Sequence, residues 1–446
     1  MLDKVEALLE RALARGADAA EAYAESGESR RIKVYEQAVE QLTAARRKGI
    51  GLRVVVDGGV GYAYSSDVGS DALDEVVEQA LGNARVADRD EHAVLPEPPA
   101  AYPELSVYDE RLAAATDEQK IALALAVERA ALAADPRVKL VEDTIYADGE
   151  VEVFLASSTG VRGTYRENHC YAFAYALAEQ DDQVETGLSF TVGRALADLD
   201  PQHCGEEAAE RACQLLGATK CRSMKATVVL DPFVAASFFG VVVSALSAEA
   251  VQKGRSLFAD LVGSEVAGPR LSLLDDGLHP DGLASSPFDG EGTPSQRTPV
   301  IEAGTLRGFL HNARTAHKGG CASTGNAARG SYQGIPGVGP TNLILSGENQ
   351  PLADVIGAIE HGVLVTNAVG VHSGANPVTG EFSVGISGLL IESGRLGAPV
   401  REVTLAGDIV GMLKGVVALG DDTRWIPMGS FLVPSVVIEG TSIGGS

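Results

Sequence analysis

Residues 231–256 read DPFVAASFFGVVVSALSAEAVQKGRS, a long apolar stretch with polar residues at both ends. Aspartate followed by proline is typical of a helix start, so we predict that Asp231 caps a helix and that Pro232 lies in its first turn. Lys253 and Gly254 mark the expected end of this helix. The apolar side chains between these limits fall on every helical face, which predicts burial in a large protein core. Serines interrupt the run too often for a membrane-spanning helix.

The predicted helix contains no histidine and no cysteine, and its only ionisable residues are Asp231, Glu249 and Lys253. A helical zinc site of the peptidase type needs two histidines about one turn apart, with a glutamate beside them as general base. We therefore predict that this helix cannot hold a zinc ion by itself.

The chain has 446 residues and a net charge of −25. This length suits two or three domains with well-buried cores. The acidic balance disfavours direct binding of nucleic acid, because phosphate repulsion would have to be overcome by a local basic patch. Two short basic clusters, residues 30–31 and 46–48, are expected to be solvated strand ends.

Cysteine usage and the N-terminus both favour a cytoplasmic protein. The five cysteines form no C-x-x-C pair, as expected for free thiols in a reducing compartment. Residues 2–14 have the pattern of an amphipathic helix and lack the apolar core of a signal peptide.

The order of predicted elements indicates an α+β fold with a duplicated helix–strands–helix unit, followed by a β-rich, barrel-like domain. We predict an N-terminal unit at 1–91, a central unit stacked on it at 104–220, and a C-terminal domain with one buried helix at 224–446. Prolines between 92 and 103 indicate a stiff linker.

Local patterns predict the strands and turns of the two units. Gly58-Gly59 and Asp148-Gly149 are expected hairpin turns. The predicted helices are 2–14, 71–87, 117–134 and 206–216. The predicted strands are 19–29, 31–43, 49–56, 59–65, 138–147, 150–158, 161–179 and 184–195.

A loop with the sequence FDGEGTPSQRTPV places Asp289, Glu291 and Arg297 around a Gly-Thr-Pro turn. These charges suit a contact with substrate or partner. They also suit a self-satisfied turn with an internal ion pair, and we favour this second interpretation because isolated loop charges are usually structural.

Three further residue types are candidates for chemistry. His311, His317 and Cys321 are metal-ligand types, but their spacing matches no common zinc pattern, and we expect their Gly- and Ala-rich segment to be mobile. His372 precedes Ser373, and adjacent side chains on a strand face opposite ways, which argues against a Ser/His pair. The candidate substrate or partner contacts are therefore Asp289, Glu291, Arg297, His311 and His372.

Several segments together resemble the TldD/PmbA family of bacterial and archaeal proteins. They are residues 35–67, 288–316 with the glycine-rich continuation to 339, 389–422, and the ending VPSVVIEGTSIGG. The resemblance covers nearly the whole chain.

The resemblance also implies a place within the family. TldD-like members carry an H-E-x-x-x-H zinc motif on a helix and a cysteine ligand near the C-terminus, whereas TldE (PmbA)-like members lack both. The motif would fall at 239–247, where this chain has apolar residues and serines, and the cysteine would fall near Met428. The chain thus resembles the zinc-free subunit, with no catalytic or metal-ligating residue of its own.

We accordingly predict a non-catalytic TldE/PmbA-like subunit of a metallopeptidase complex that acts on small or unfolded peptides. The partner is expected to be a TldD-like subunit that carries the zinc, and the sequence leaves open whether the chain forms a homodimer when it is alone. Two alternatives stay open. One is a stand-alone hydrolase that uses His311, His317 or His372, and the other is a regulatory binding protein of the gyrase-modulator kind.

Overall fold

The structure is a computed structural model that describes residues 1–427 and 429–445. Its first half alternates helices with long antiparallel strands. The elements are α1 Leu2–Ala14, β1 Ala19–Tyr35, β2 Ala38–Val56, β3 Gly59–Ser65, α2 Ser70–Val86, α3 Glu110–Ala113, α4 Asp117–Ala134, β4 Val138–Ser157, β5 Arg162–Gln180, β6 Gln183–Gly193, a 3₁₀ turn Leu196–Asp198 and α5 Pro201–Cys213.

The six strands of this half form one sheet in the order β3-β2-β1-β4-β5-β6. The two units meet where β1 pairs antiparallel with β4, from Glu21 opposite Ser157 to Val34 opposite Thr144. The predicted helix–strands–helix duplication is therefore confirmed. The predicted stacking of the units is wrong, because they lie side by side and share a sheet.

The turn between β1 and β2 lies at Glu36 and Gln37, inside a segment predicted as strand. Both residues have positive φ, 51° and 58°, a conformation that usually calls for glycine or asparagine. A carboxylate from α4 holds this turn, since Glu128 Oε2 accepts hydrogen bonds from Gln37 N at 2.8 Å and Gln37 Nε2 at 2.7 Å. The predicted strand breaks near residues 30 and 45 are wrong.

The predicted hairpin turn at Asp148-Gly149 is also wrong, because both residues lie in the middle of β4. Asp148 is instead the partner of a buried cation. Its Oδ2 lies 2.6 Å from Lys120 Nζ and accepts a hydrogen bond from the Tyr146 hydroxyl at 2.7 Å. An Asp-Gly pair was thus a misleading turn signal where a buried lysine needed a carboxylate.

The second half holds the barrel. Its elements are β7 Met224–Leu230, α6 Pro232–Ala245, α7 Ala248–Gln252, β8 Ser272–Asp276, β9 Arg297–Glu302, β10 Thr305–Leu306, α8 Ala313–Gly319, β11 Ala327–Ala328, β12 Gly337–Val338, β13 Leu343–Ser346, β14 Asn349–Gln350, α9 Leu352–Gly357, β15 His361–Val369, α10 Val371–Gly374, β16 Glu381–Glu392, β17 Arg395–Asp408, α11 Ile409–Lys414, β18 Val416–Gly420, β19 Arg424–Ile426, β20 Phe431–Val433 and β21 Val436–Gly444.

Five of these strands close into a barrel, which confirms the barrel-like expectation. The ring runs β21-β17-β16-β15-β7, and β7 pairs again with β21. A second sheet, β10-β9-β8-β13-β20-β19, lies in the same half. Helix α6 follows β7 directly and packs into the largest apolar cluster, where Phe238 meets Phe382 edge to face with ring centroids 5.3 Å apart.

The predicted single helix from 231 to 253 is two helices, because Leu246 and Ser247 leave the helical path. Backbone hydrogen bonds to Leu310 replace the helical ones: Leu310 N donates to Leu246 O at 3.0 Å, and Ala248 N donates to Leu310 O at 2.9 Å. The expected helix start is confirmed, since the Asp231 side chain accepts from Val234 N at 2.8 Å and Pro232 is the first residue of α6.

We expect the substitution Phe239→Ala to lower the free energy of unfolding by about 3 to 5 kcal/mol, because it removes a large side chain from a closely packed interior. Phe239 is 1% exposed. Chemical denaturation measures the change. Val86, at 85% exposure on α2, is the control, and Val86→Ala should change the free energy by less than about 0.5 kcal/mol. Equal effects of the two substitutions would contradict this packing.

Candidate functional site: a cleft along helix α6

A cleft of about 750 Å³ runs along α6. The opposite walls come from the first sheet, through β5 and β6, and from the barrel, through β15. The side chains that face it are mostly apolar. Those outside α6 include Tyr175, Thr186, Leu188, Leu215, Ala368, Val369, Pro377, Ile426 and Phe431.

Helix α6 presents one stripe to this cleft: Ser237, Gly240, Val241 and Ser244. The spacing i, i+3, i+4 and i+7 places these residues on one helical face. The expectation of burial on every face is therefore wrong, because these four residues are exposed or half-buried while the rest of α6 is buried. The two serine hydroxyls donate to carbonyls of their own helix, at 3.1 and 2.7 Å, so they offer acceptor lone pairs to the cleft.

Two smaller cavities adjoin the cleft and extend it. One, of about 540 Å³, shares Gly240, Ser244 and Phe431 with it and continues towards α7. The other, of about 390 Å³, reaches His169 and Tyr171 on β5. Together they extend the cleft towards α7 on one side and β5 on the other, which suits an extended ligand better than a compact one.

Arg211 is the one charged side chain among the described residues that line the main cleft. It comes from α5 and fixes the start of α6, with Nη1 2.6 Å from Asp231 Oδ2. Its other nitrogen donates to Thr366 O at 2.6 Å, and the guanidinium lies over the Phe233 ring at 4.5 Å. Burial raises the pKa of Asp231, and Arg211 opposes that rise. The arginine thus joins the three walls of the cleft.

The predicted site residue Glu291 lies elsewhere, in a buried network between the first sheet and the C-terminal half. Its Oε1 lies 2.7 Å from Arg53 Nη1, and its Oε2 accepts from Ala313 N at 2.9 Å. Arg53 also contacts Glu21 at 2.6 Å, and Glu21 contacts Arg329 at 2.5 Å. Burial opposes the charge of Arg53, but Glu21 and Glu291 outweigh it and raise the pKa of the guanidinium.

Asp289 organises the turn before Glu291. Its Oδ1 accepts from the backbone N–H groups of Glu291 and Thr293, and its Oδ2 accepts from that of Ala327, each at 2.9 Å. Burial and the nearby Glu291 carboxylate raise the pKa of Asp289 to about 7. Arg297 is not part of this turn. It is exposed and lies 3.0 Å from Asp276. The buried ion pair is therefore formed by Glu291 and Arg53 instead of Arg297.

His311, His317 and Cys321 lie on and beside α8, in a segment expected to be a mobile loop but helical in the structure. His311 Nε2 lies 3.7 Å from Cys321 Sγ. His317 turns to another partner, with its Nδ1 3.0 Å from that of His92. Burial lowers the pKa of His311. The three predicted ligands are therefore split between two pairs.

His372 lies in the short helix α10, and its side chain is outside the part of the chain that the structure describes. Met428, the predicted position of the late cysteine, also lies outside the described residues.

Three family models match this chain in succession. The PmbA/TldA metallopeptidase domain 1 matches residues 20–84, the central domain matches 110–216 and the C-terminal domain matches 223–445. The Escherichia coli O157:H7 protein named metalloprotease PmbA is 30% identical over 399 residues, which span 88% of this chain and 85% of that protein.

This chain belongs to the PmbA/TldD metallopeptidase family. A crystal structure from Thermotoga maritima, described as that of a proposed modulator of a DNA gyrase, has 27% sequence identity and a TM-score of 0.90, with 99% of each chain covered. The crystal structure of TldE from Thermococcus kodakarensis shares the fold, with a TM-score of 0.92 at 23% identity over 99% of this chain and 100% of that one.

A metallopeptidase family implies a metal, and the α6 wall of the cleft does not fit one. Its stripe offers two hydroxyls that donate to their own helix, one glycine and one valine. Zinc in proteins is bound by imidazole, thiolate or carboxylate groups. Among the side chains that the structure describes, which exclude that of His372, no three from His, Cys, Asp or Glu converge to hold a metal ion.

In the described residues, no helix is both long and apolar enough to cross a bilayer.

Sequence reasoning missed Arg211, Arg53 and Arg329 as site residues. Their partners are far away in the chain: Glu291 lies 238 residues from Arg53, and Glu21 lies 308 residues from Arg329. No spacing rule connects such pairs. An arginine inside an otherwise apolar strand, as in GLRVVV around Arg53, is the one signal that pointed to a buried ion pair.

We expect Asp289→Asn to remove a pH dependence of stability. The folded carboxyl has a pKa of about 7, whereas an unfolded aspartate has about 3.9. At a pH between these two pKa values, the Asp289 carboxyl is protonated in the folded state and ionised in the unfolded state. The free energy of unfolding of the wild type should therefore fall, relative to the variant, by about 1.4 kcal/mol per pH unit as pH rises from about 4 to about 7.

Denaturation series at pH 4.5, 5.5, 6.5 and 8 measure this difference. Above about pH 7 the free energies of unfolding of the wild type and the variant should change in parallel with pH. Parallel curves over the whole range would show that Asp289 titrates normally. Asp276→Asn is the matched control, because that aspartate pairs with exposed Arg297.

Proposed function

We propose that this chain is the non-catalytic, TldE/PmbA-like subunit of a two-chain peptidase whose zinc is held by a TldD-like partner. One observation carries the proposal: the cleft is present and apolar, but the α6 stripe beside it is Ser237, Gly240, Val241 and Ser244. A metal-free wall in a family of metallopeptidases is expected of a subunit that shapes the substrate chamber. The partner's metal would polarise the scissile carbonyl and activate water.

The cleft suits an extended peptide. Strand β15 pairs with β7 only from Gly362 to Val365. Beyond that point residues 366–369 line the cleft. Residues 367–369 pair on one side with β16, and the described residues place no strand on their other side. A peptide could add to this edge through main-chain hydrogen bonds, which do not depend on its sequence. The apolar walls would then accept its side chains.

The cysteines support a cytoplasmic location for the complex. All five are free, and Cys170, Cys204 and Cys213 are buried. Unpaired thiols persist in a reducing compartment.

The decisive experiment is co-expression with a TldD-like chain from the same source. The purified pair should digest an unstructured peptide and contain stoichiometric zinc, and the zinc should stay with the TldD-like chain when the two are separated. This chain alone should be inactive and metal-free. Zinc bound to the lone chain, or peptide hydrolysis by it, would overturn the proposal and favour a stand-alone hydrolase.

The cleft itself is tested by Gly240→Phe. A Cβ placed on Gly240 meets only Phe431 Cζ, at 4.0 Å, so a larger side chain projects into the open cleft. We expect Gly240→Phe to leave complex formation intact and to lower the kcat/KM of the pair for peptide at least tenfold, since it occupies the space for substrate.

Gly240→Ala is the matched control, because a methyl group fits there and alanine favours the helix by about 1 kcal/mol over glycine. It should keep the activity of the wild type. Full activity of the pair with Gly240→Phe would show that the peptide does not pass along α6.

A further inference from the structure

A small cavity of about 240 Å³ lies between the helices α3 and α4 and the strands β1, β4 and β5 of the first sheet. Its walls are mostly polar, and charged side chains from both strands and helices line it. Drug-sized ligands occupy cavities of roughly 300 to 1,000 Å³, so this one suits a smaller molecule. We call it the polar cavity.

The pairing of β1 with β4 sets the floor of the polar cavity. Arg30 lies opposite Asp148, and Glu28 lies opposite Glu150. Residues that face each other across antiparallel strands, and residues two apart along one strand, point to the same face of the sheet. The floor therefore carries two rows about 7 Å apart. One row holds Arg30 and Asp148, and the other holds two glutamates.

Two cations stand at the first row. Lys120 from α4 is 2% exposed, and its Nζ lies 2.6 Å from Asp148 Oδ2. An ammonium group has three N–H donors, and Asp148 is the only carboxylate within ion-pair distance of it in the described residues. Arg30 Nε lies 2.9 Å from Asp117 Oδ1, but the angle does not allow a hydrogen bond. Both cations therefore keep donors for a further acceptor.

The second row has too much negative charge. Like charges directly opposite each other destabilise a pair of strands. Glu28 has one ion-pair partner in the described residues, Arg46, whose side chain is 82% exposed, and such exposed pairs contribute little. Glu150 accepts a hydrogen bond from the neutral Tyr108 hydroxyl at 3.1 Å. A cation placed between the two glutamates would relieve their repulsion.

We propose that the polar cavity binds a free α-amino acid, with its ammonium group between Glu28 and Glu150 and its carboxylate at Arg30 and Lys120. An α-amino acid carries both charges on one carbon atom. With charge-assisted hydrogen bonds of about 2.8 Å at each end, it spans two rows that are about 7 Å apart.

The rest of the lining limits the side chain of the ligand. Leu112 and Ala113 of α3 supply an apolar part of the wall, which favours a small or apolar side chain. The inference stands apart from the proposed peptidase role, because it uses no residue of the α6 cleft.

Ligands with a single charge fit the polar cavity less well. A simple amine would use the two glutamates but leave the spare donors of Arg30 and Lys120 without an acceptor. A simple anion would reach these donors but would be repelled by Glu28 and Glu150. The order of charges along the floor therefore favours a molecule that carries both.

Isothermal titration calorimetry of the full chain tests the ligand class, with glycine, L-alanine and L-leucine as probes. At least one should bind with a Kd below about 1 mM. Its N-acetyl derivative lacks the ammonium charge and its amide lacks the carboxylate charge, so each should bind at least tenfold more weakly. If none of the three probes binds, or if either derivative binds as tightly as its parent, the proposal is wrong.

The substitution Glu150→Gln tests the position of the ammonium group. It removes one of two facing charges and keeps an acceptor for Tyr108. We expect the affinity for the amino acid to fall at least tenfold while the resistance to denaturant stays equal or rises, since the repulsion is relieved. A merely structural glutamate would give the opposite change in stability. Glu142→Gln, exposed on the same strand and outside the cavity, should change neither property.

The substitution Ala113→Phe tests whether the ligand occupies the polar cavity. Ala113 lines the cavity, whereas Ala114, the next residue, does not. Ala113→Phe should abolish binding, and Ala114→Phe, the matched control, should retain it. Unchanged binding by both Glu150→Gln and Ala113→Phe would place the amino acid elsewhere and overturn the proposal. None of these outcomes bears on peptide hydrolysis by the complex, so the two proposals fail separately.

Discussion

The packing of one apolar helix against three walls is the constraint on which this structure depends. Helix α6 buries Phe238, Phe239 and Val242 almost completely, and the burial of such side chains contributes roughly 1.5 to 3 kcal/mol each. The remaining stripe cannot be buried without filling the cleft. The same helix therefore stabilises the C-terminal half and forms the floor of the candidate site. This double role explains why the three phenylalanines of α6 lie on its buried faces, whereas the stripe holds two serines, a glycine and one valine.

The walls of the cleft belong to different parts of the chain, so their relative position must be fixed. Two sets of buried charges do this. Arg211 links α5 to the start of α6 and to β15. Arg53 links the first sheet to the turn at Glu291. Removing charges from water is costly, and such pairs often add little net stability. They do penalise alternative placements, because a shift would leave a buried charge without its partner. We interpret both sets as devices that hold the two halves in one arrangement.

Local patterns predicted some elements well and others badly, and the difference has a physical cause. The bounds of α1 and α4 agree with the sequence analysis, since their apolar periodicity and end signals lie within the helix itself. The turn at Glu36 and Gln37 was missed because the group that holds it is Glu128, on another helix. Asp148 was misread for the same reason, since its partner Lys120 lies outside the strand. The break after α6 depends on Leu310, about sixty residues further on.

The sequence by itself determined the family, the α+β order of elements, the barrel-like second half and the lack of zinc-binding groups on α6. These are properties of residue type and short spacing, which the chain carries in any conformation. Only the tertiary structure decided that the two N-terminal units share one sheet, that Glu291 pairs with Arg53 rather than Arg297, and that one stripe of α6 faces a cleft. Each of these depends on contacts between residues far apart in the chain. Such contacts are selected by the packing of the whole molecule, because burial rewards complementary surfaces wherever they lie in the sequence.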